Sequence, residues 1–215
     1  MTGDGRGAAG PVPGWLRELA DAASTMEIDP LDRPPASGGR ASAVLVLFAA
    51  GPDGPEDPEL LFIERSADLR LHAGQPAFPG GTVDAADSGP VAAALREAAE
   101  EVGVAPDGVD VVGTLPEHYN ARTGFRVVPV LAWWRQPSAV APLDPGEVAA
   151  VERIAVSELA DPAVRLMVRG PGGTVSPAFR VRGLLIWGFT AGLVDRLLAL
   201  GGWERPWDAS KIIDL

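Results

Sequence analysis

The stretch LREAAEEVGV, residues 95–104, reads as an α-helix whose own charges oppose it, and its reading decides the fold. Glu97, Glu100 and Glu101 stand three and four positions apart, spacings at which like charges face one another and destabilise a helix. The surrounding alanines favour the helix, so the compensating positive charge has to come from outside the acidic trio. At about 100° per residue the three side chains fall within an arc of roughly 100°, which lets their carboxylates converge on one point. Convergent oxygen ligands suit Mg2+ or Mn2+, hard cations that keep waters for bridging to phosphates. Two histidines and no cysteine make zinc a poor match. The plainer alternative is a solvated acidic face paired with arginines.

Just upstream, AFPGGTVDAAD at 77–87 carries Pro79, Gly80 and Gly81, a tight turn whose backbone can approach a ligand closely. The helix is expected to start after Asp87 or Ser88, either of which can cap it, with Pro90 in the first turn, and to stop at Gly103. Around this centre, ASAVLVLFAA (41–50) and ELLFIERS (59–66) read as strands joined by a turn-rich link. VDVVGTL (109–115), FRVVPVLAWW (125–134) and VAAVERIAV (148–156) read as three more, and TAGLVDRLLAL (190–200), closed by Gly201, as a final helix. Strands before, between and after two main helices predict an α/β fold with a mixed sheet covered on both faces. Residues 1–40 are rich in Gly, Pro, Ala and Asp. They are expected to form a tail with one short amphipathic helix in WLRELADAAS (15–24), ahead of a domain at 41–215.

A chain of 215 residues, 47% hydrophobic, suits one such domain. The lack of cysteine removes disulfides, thiolate metal sites and a cysteine nucleophile together, and points to a reducing compartment. A net charge of −11 repels a phosphate backbone, so nucleic acid is not an expected partner. A small phosphorylated substrate stays compatible, because a bound divalent cation reverses the field of an acidic site. The N-terminus lacks the basic start and apolar run of a secretory signal, and no apolar span has the length of a membrane helix. With the ending KIIDL unlike a peroxisomal tail, a cytoplasmic location and no membrane partner are expected. A homodimer and a monomer are both open.

GGTVDAADSGPVAAALREAAEEVGV, residues 80–104, resembles the signature of the Nudix hydrolases: G, five residues, E, seven residues, then R-E-apolar-x-E-E-x-G-apolar. Arg96, Glu97, Ala98, Glu100, Glu101, Gly103 and Val104 match the closing half. Counting from Gly81, Asp87 stands where the first glutamate is expected, and eight residues rather than seven precede Arg96. That departure fits the coenzyme A pyrophosphatase-like subfamily, whose additional motif runs R-S, three residues, R, three residues, G, three residues, F-P-G-G. RSADLRLHAGQPAFPGG, from Arg65 to Gly81, resembles it at every spacing, and IWGFTA at 186–191 adds to the likeness.

The resemblance implies the Nudix α/β/α sandwich, with a mixed β-sheet between helices. It also implies a metal site made by Glu97, Glu100 and Glu101 with a backbone carbonyl of Gly80 or Gly81, and Arg96 as electrostatic support for the glutamates. Glu147, in the turn of LDPGEVAAV, is the candidate for a further carboxylate, ahead of Glu117. Glu97, Glu100 or Glu147 would accept a proton from water. Arg65, Arg70 and His72 would contact substrate phosphate, the arginines through a planar fork that matches phosphoryl oxygens. His118 lies outside the motif and reads equally as a surface imidazole. The implied activity is hydrolysis, dependent on Mg2+ or Mn2+, of the diphosphate in coenzyme A or acyl-CoA to 3′,5′-ADP and (acyl-)4′-phosphopantetheine. The alternatives are a pyrophosphatase for ADP-ribose, a dinucleotide or another nucleoside diphosphate derivative, and a non-catalytic Nudix-fold module that binds such a ligand.

Overall fold

The structure, a computed structural model, describes residues 10–28, 33–35, 37–69, 73–121, 123–170 and 172–215. Helix α1 (Gly14–Ser24) is followed by strands β1 (Arg40–Gly51), β2 (Gly54–Arg65), β3 (Pro76–Ala77) and β4 (Gly80–Thr82), and then by helix α2 (Pro90–Val102). Strands β5 (Val109–Thr114), β6 (His118–Asn120), β7 (Phe125–Trp134) and β8 (Val148–Ala155) lead into the single turn α3 (Val156–Leu159). Strands β9 (Arg165–Arg169), β10 (Val175–Val181) and β11 (Leu184–Ile186) precede helix α4 (Gly188–Leu200), and β12 (Ile212–Asp214) follows it.

Among the described residues eight strands join in one mixed sheet, ordered β3-β2-β1-β7-β5, with β8 on β2, β4 on β1 and β6 on β7. β1 and β7 run parallel, from Arg40 opposite Phe125 to Phe48 opposite Trp133. The central strands are apolar on both faces, and their side chains alternate between two cores. Val46 and Phe48 of β1 and Leu131 and Trp133 of β7 join α1 and α4 in one core; Leu45, Leu47, Val130 and Ala132 join α2 in the other. This is the expected α/β sandwich.

The helix expected near 15–24 forms, and it is part of the first core. Leu16, Leu19, Ala20 and Ala23 are buried, and Trp15 stands edge-on to Phe48, Trp133 and Trp203 at 5.4, 6.1 and 5.2 Å between ring centres. The indole N–H of Trp133 donates to the Gly10 carbonyl at 2.9 Å, tying the start of this segment to the sheet.

Helix α2 turns Ala93, Ala94, Ala98 and Val102 to the sheet, and small side chains there let its backbone lie close to β1 and β4. Its start corrects the sequence expectation. Pro90 opens the helix, Gly89 holds the cap position at φ 146°, and no side chain caps it. Asp87 is instead drawn to Arg96, whose planar fork engages both of its carboxylate oxygens at once. The end is as expected: Gly103 adopts φ 78°, its N–H donating to Ala99 O at 3.0 Å and that of Val104 to Ala98 O at 3.3 Å.

A second sheet, ordered β11-β10-β9-β12, lies outside the sequence expectation. Its strands are short and carry Arg165 and Pro177, which mask the apolar signal. Arg165 is nevertheless 2% exposed, neutralised by Asp195 and Glu204 and set over the ring of Trp207. No helix among the described residues is long and apolar enough to cross a membrane.

Candidate active site

The site grows from the crossing of α2 over β4. β4 pairs antiparallel with β1, Gly80 opposite Val44 and Gly81 opposite Ala43. A β-carbon on Gly80 would strike the Ala43 carbonyl and the Val44 backbone, so only glycine fits. The Gly80 N–H donates to Glu101 Oε2 at 3.0 Å. One helical turn earlier, the Glu97 carboxylate lies directly over Gly81. The two glycines thus bring the turn against two carboxylates of α2.

Arg96 locks this arrangement from outside. Its Nε donates to Asp87 Oδ1 at 3.1 Å, and Nη2 donates to Asp87 Oδ2 and to the Thr82 carbonyl, both at 3.0 Å. Nη1 reaches Glu100 at 2.8 Å, and Nη2 lies 3.1 Å from Glu97. One guanidinium therefore clamps the 82–87 loop to the helix. Its hydrogen bonds hold the Asp87 carboxyl below the usual carboxylate range, with the Asp84 N–H assisting. Asp87, the residue that departs from the family signature, is the loop anchor of this clamp.

Burial sets the charge state of the inner carboxylates. Glu101 is 5% exposed, and burial pushes its carboxyl up to about 7 against the opposing pull of the Gly80 N–H and Arg65, with Glu97 and Glu147 adding repulsion. Glu97 is raised as well, chiefly by burial, while Arg96 opposes the shift and Glu100 adds to it. Glu100 is placed differently: its side chain is 61% exposed and turned to Arg96. The three carboxylates therefore do not converge on one point, and among the described residues no group of three acidic or imidazole side chains encloses an ion position. An arc of about 100° on a helix is wide enough for one member to be captured by a neighbouring arginine.

Glu97, Glu101, Glu147 and Arg65 line one cavity of about 570 Å³, a volume that suits a nucleotide-sized ligand. Glu147 is exposed and presented by a turn in which Asp144 O accepts its N–H at 3.0 Å and Asp144 Oδ1 accepts that of Gly146 at 2.8 Å. The Glu147 carbonyl accepts the Ser66 N–H at 2.8 Å, which fixes this turn beside Arg65. Arg65 Nε is buried and has no hydrogen-bond partner among the described residues. Glu117 pairs with Arg126 at 2.7 Å, and His118 packs edge-on to Phe189 at 5.6 Å; neither lines the cavity. Arg70 and His72 lie outside the described residues.

The donor set fits a hard divalent cation. Glu97 and Glu101 are oxygen donors held above their usual range chiefly by burial, with neighbouring carboxylates adding repulsion, a state that bound positive charge relieves. Sequence reasoning did not single out the far wall, where Arg40, Thr123 and Phe125 complete the cavity. The available signal was the position of Arg40, directly before the first apolar strand.

Residues 39–173 match the NUDIX domain model. The chain is 41% identical over 174 residues to a protein of Cronobacter sakazakii named uncharacterized Nudix hydrolase NudL, covering 78% of this chain and 85% of that one. A namesake from Citrobacter koseri is 42% identical over 157 residues, covering 69% and 78%. The crystal structure of RenU, a Nudix hydrolase from M. smegmatis, superposes with a TM-score of 0.55 at 20% identity over 80% of this chain and 91% of that one, a likeness of fold alone. A domain match across most of the chain, together with relatives above 40% identity along most of their length, means that the protein belongs to the Nudix hydrolase family.

Proposed function

We propose that the protein is a divalent-metal-dependent hydrolase of the diphosphate linkage in coenzyme A or acyl-CoA, acting in the cytoplasm and yielding 3′,5′-ADP and (acyl-)4′-phosphopantetheine. The observation that carries this reading is the meeting of two motifs on one cavity: Arg65, Leu69 and Phe78 from the Arg65–Gly81 segment, and Glu97 and Glu101 from α2. Enzymes of the family generally use divalent metals. Here Glu97, Glu101 and a carbonyl of Gly80 or Gly81 would hold Mg2+ or Mn2+, and Glu100 would join them by exchanging Arg96 for the cation. When bound, the cation neutralises diphosphate oxygens and acidifies water.

The chain's own part is positioning and proton transfer. Arg65, whose buried Nε has no hydrogen-bond partner among the described residues, offers donors to the non-bridging phosphoryl oxygens. Glu147, exposed at the cavity beside Arg65, accepts a proton from the attacking water. The water oxygen bonds to one phosphorus, the bridging P–O bond breaks, and the leaving phosphate departs as a monoester. Gly80 and Arg96 keep Glu101 and Glu97 in place throughout.

Comparing kcat/KM for coenzyme A, an acyl-CoA, ADP-ribose and NADH in the same Mg2+ or Mn2+ buffer tests the reading. Mass spectrometry in 18O-labelled water should find 3′,5′-ADP and the phosphopantetheine fragment, with label in one of them. A preference for ADP-ribose or a dinucleotide would move the assignment to a different nucleoside diphosphate derivative. Tight binding with no turnover of any diphosphate would favour a ligand-binding module.

A further inference from the structure

Arg40 opens β1 at the end of the cavity away from the carboxylates. The parallel register sets it opposite Phe125, and its guanidinium carbon lies 4.2 Å from the centre of that ring. Gly81, which abuts the Glu97 carboxylate, pairs with Ala43. Arg40 is three residues further back, about 10 Å at the rise of a strand.

No carboxylate pairs with Arg40 among the described residues; the polar contact of its guanidinium there is a long bond from Nη2 to the Thr123 carbonyl, 3.4 Å. Arg96, Arg126 and Arg153, by contrast, hold carboxylates at 2.8, 2.7 and 2.9 Å. In a chain of net charge −11, an arginine on a cavity wall with an aromatic support and no counter-charge is prepared for an anion from solution. Contact with the Phe125 ring restricts the guanidinium, so less side-chain entropy is lost when its donors engage.

We propose that Arg40, carried on Phe125, is a specificity-determining residue that binds a phosphate monoester on the nucleoside side of the substrate. This rests on the diphosphatase reading above, in which the diphosphate lies by Glu97, Glu101 and Arg65; the second anion sits one sugar away. In coenzyme A that group is the 3′-phosphate. ADP-ribose and NADH offer no such monoester, so Arg40 discriminates by a contact that only one class of ligand completes.

The test has two readouts. The first is kcat/KM for coenzyme A and 3′-dephospho-coenzyme A with the wild type, Arg40→Gln and Arg40→Lys. The second is calorimetric binding of adenosine 3′,5′-bisphosphate and adenosine 5′-monophosphate to the same metal-free proteins. Wild type should favour the 3′-phosphorylated member of each pair, and Arg40→Gln should shrink that ratio by about tenfold to a hundredfold, the size of one charge-assisted contact. Arg40→Lys, with charge but no planar fork, should fall between. Arg40 is exposed, so the variants should melt close to the wild type. A wild-type preference that survives in Arg40→Gln, or equal use of both coenzymes by the wild type, overturns the role of Arg40 and leaves the diphosphatase reading standing. Turnover of ADP-ribose with neither coenzyme cleaved overturns both the role of Arg40 and the coenzyme A assignment.

Discussion

The carboxylate of Glu97 occupies the space that a β-carbon on residue 81 would fill, with Oε2 2.7 Å from that position. The obstacle is the mobile end of a side chain, so Gly81→Ala should fold and melt near the wild type while pushing Glu97 out of place. We expect kcat/KM to fall by about a hundredfold or more, as misplacement near the reacting atoms does. Gly80→Ala meets backbone atoms of β1 instead, at a positive φ, and should lose about 3 kcal/mol or more of stability. Urea melts of the two variants beside their kinetics check the contrast; full activity in Gly81→Ala would remove Glu97 from the site.

Burial keeps Glu101 protonated up to about pH 7, whereas a carboxyl of this kind ordinarily ionises near 4.5. Between those values the folded state holds a proton that the unfolded chain has released, so stability falls as pH rises through that window. The penalty is absent below pH 4.5 and complete above pH 7, where a shift of this size amounts to about 3 kcal/mol. Metal-free Glu101→Gln should therefore be more stable than the wild type at pH 8, with the gap closing towards pH 4.5, and it should be inactive. Melts in chelator across that range decide it, and a variant less stable than wild type at pH 8 would contradict the buried charge. Added Mg2+ should raise the Tm of the wild type at pH 8 and leave that of the variant near its metal-free value.

Arg96 ties Asp87, Thr82, Glu97 and Glu100 together through one planar group. Lysine keeps the charge and loses the fork, so Arg96→Lys should reduce kcat by about tenfold to a hundredfold and lower stability by about 1–3 kcal/mol. Steady-state kinetics separates this from a substrate contact. A rise in KM at constant kcat would mean that Arg96 binds ligand instead of positioning Glu97.

Leu16 is fully buried in the core between α1 and the sheet. Leu16→Ala should cost about 2–5 kcal/mol, the range for a large-to-small change in a core. Chemical denaturation measures the loss, and a value near zero would mean that α1 only rests on the domain.

The central strands and α2 were legible because a sheet covered on both faces demands apolar runs, and because Gly103 stops a helix by local backbone geometry alone. The second sheet was not. Its buried Arg165 is made tolerable by Asp195 and Glu204, 30 and 39 residues away, and no local window contains them.

The same division runs through the site. Spacing alone put Glu97, Glu100 and Glu101 on one helical face, and motif identity alone joined Arg65 to Glu101. Only the tertiary structure decided that Glu101 lies beneath Gly80, that Glu97 rests on Gly81 and that Glu100 turns away to Arg96. Arg40 carries no motif at all, and its standing comes from the parallel register with Phe125, 85 positions later in the chain. Periodicity and residue type are local properties that a sequence states directly. Which side chains meet across long stretches of chain is set by packing, where shape, burial and charge are satisfied together.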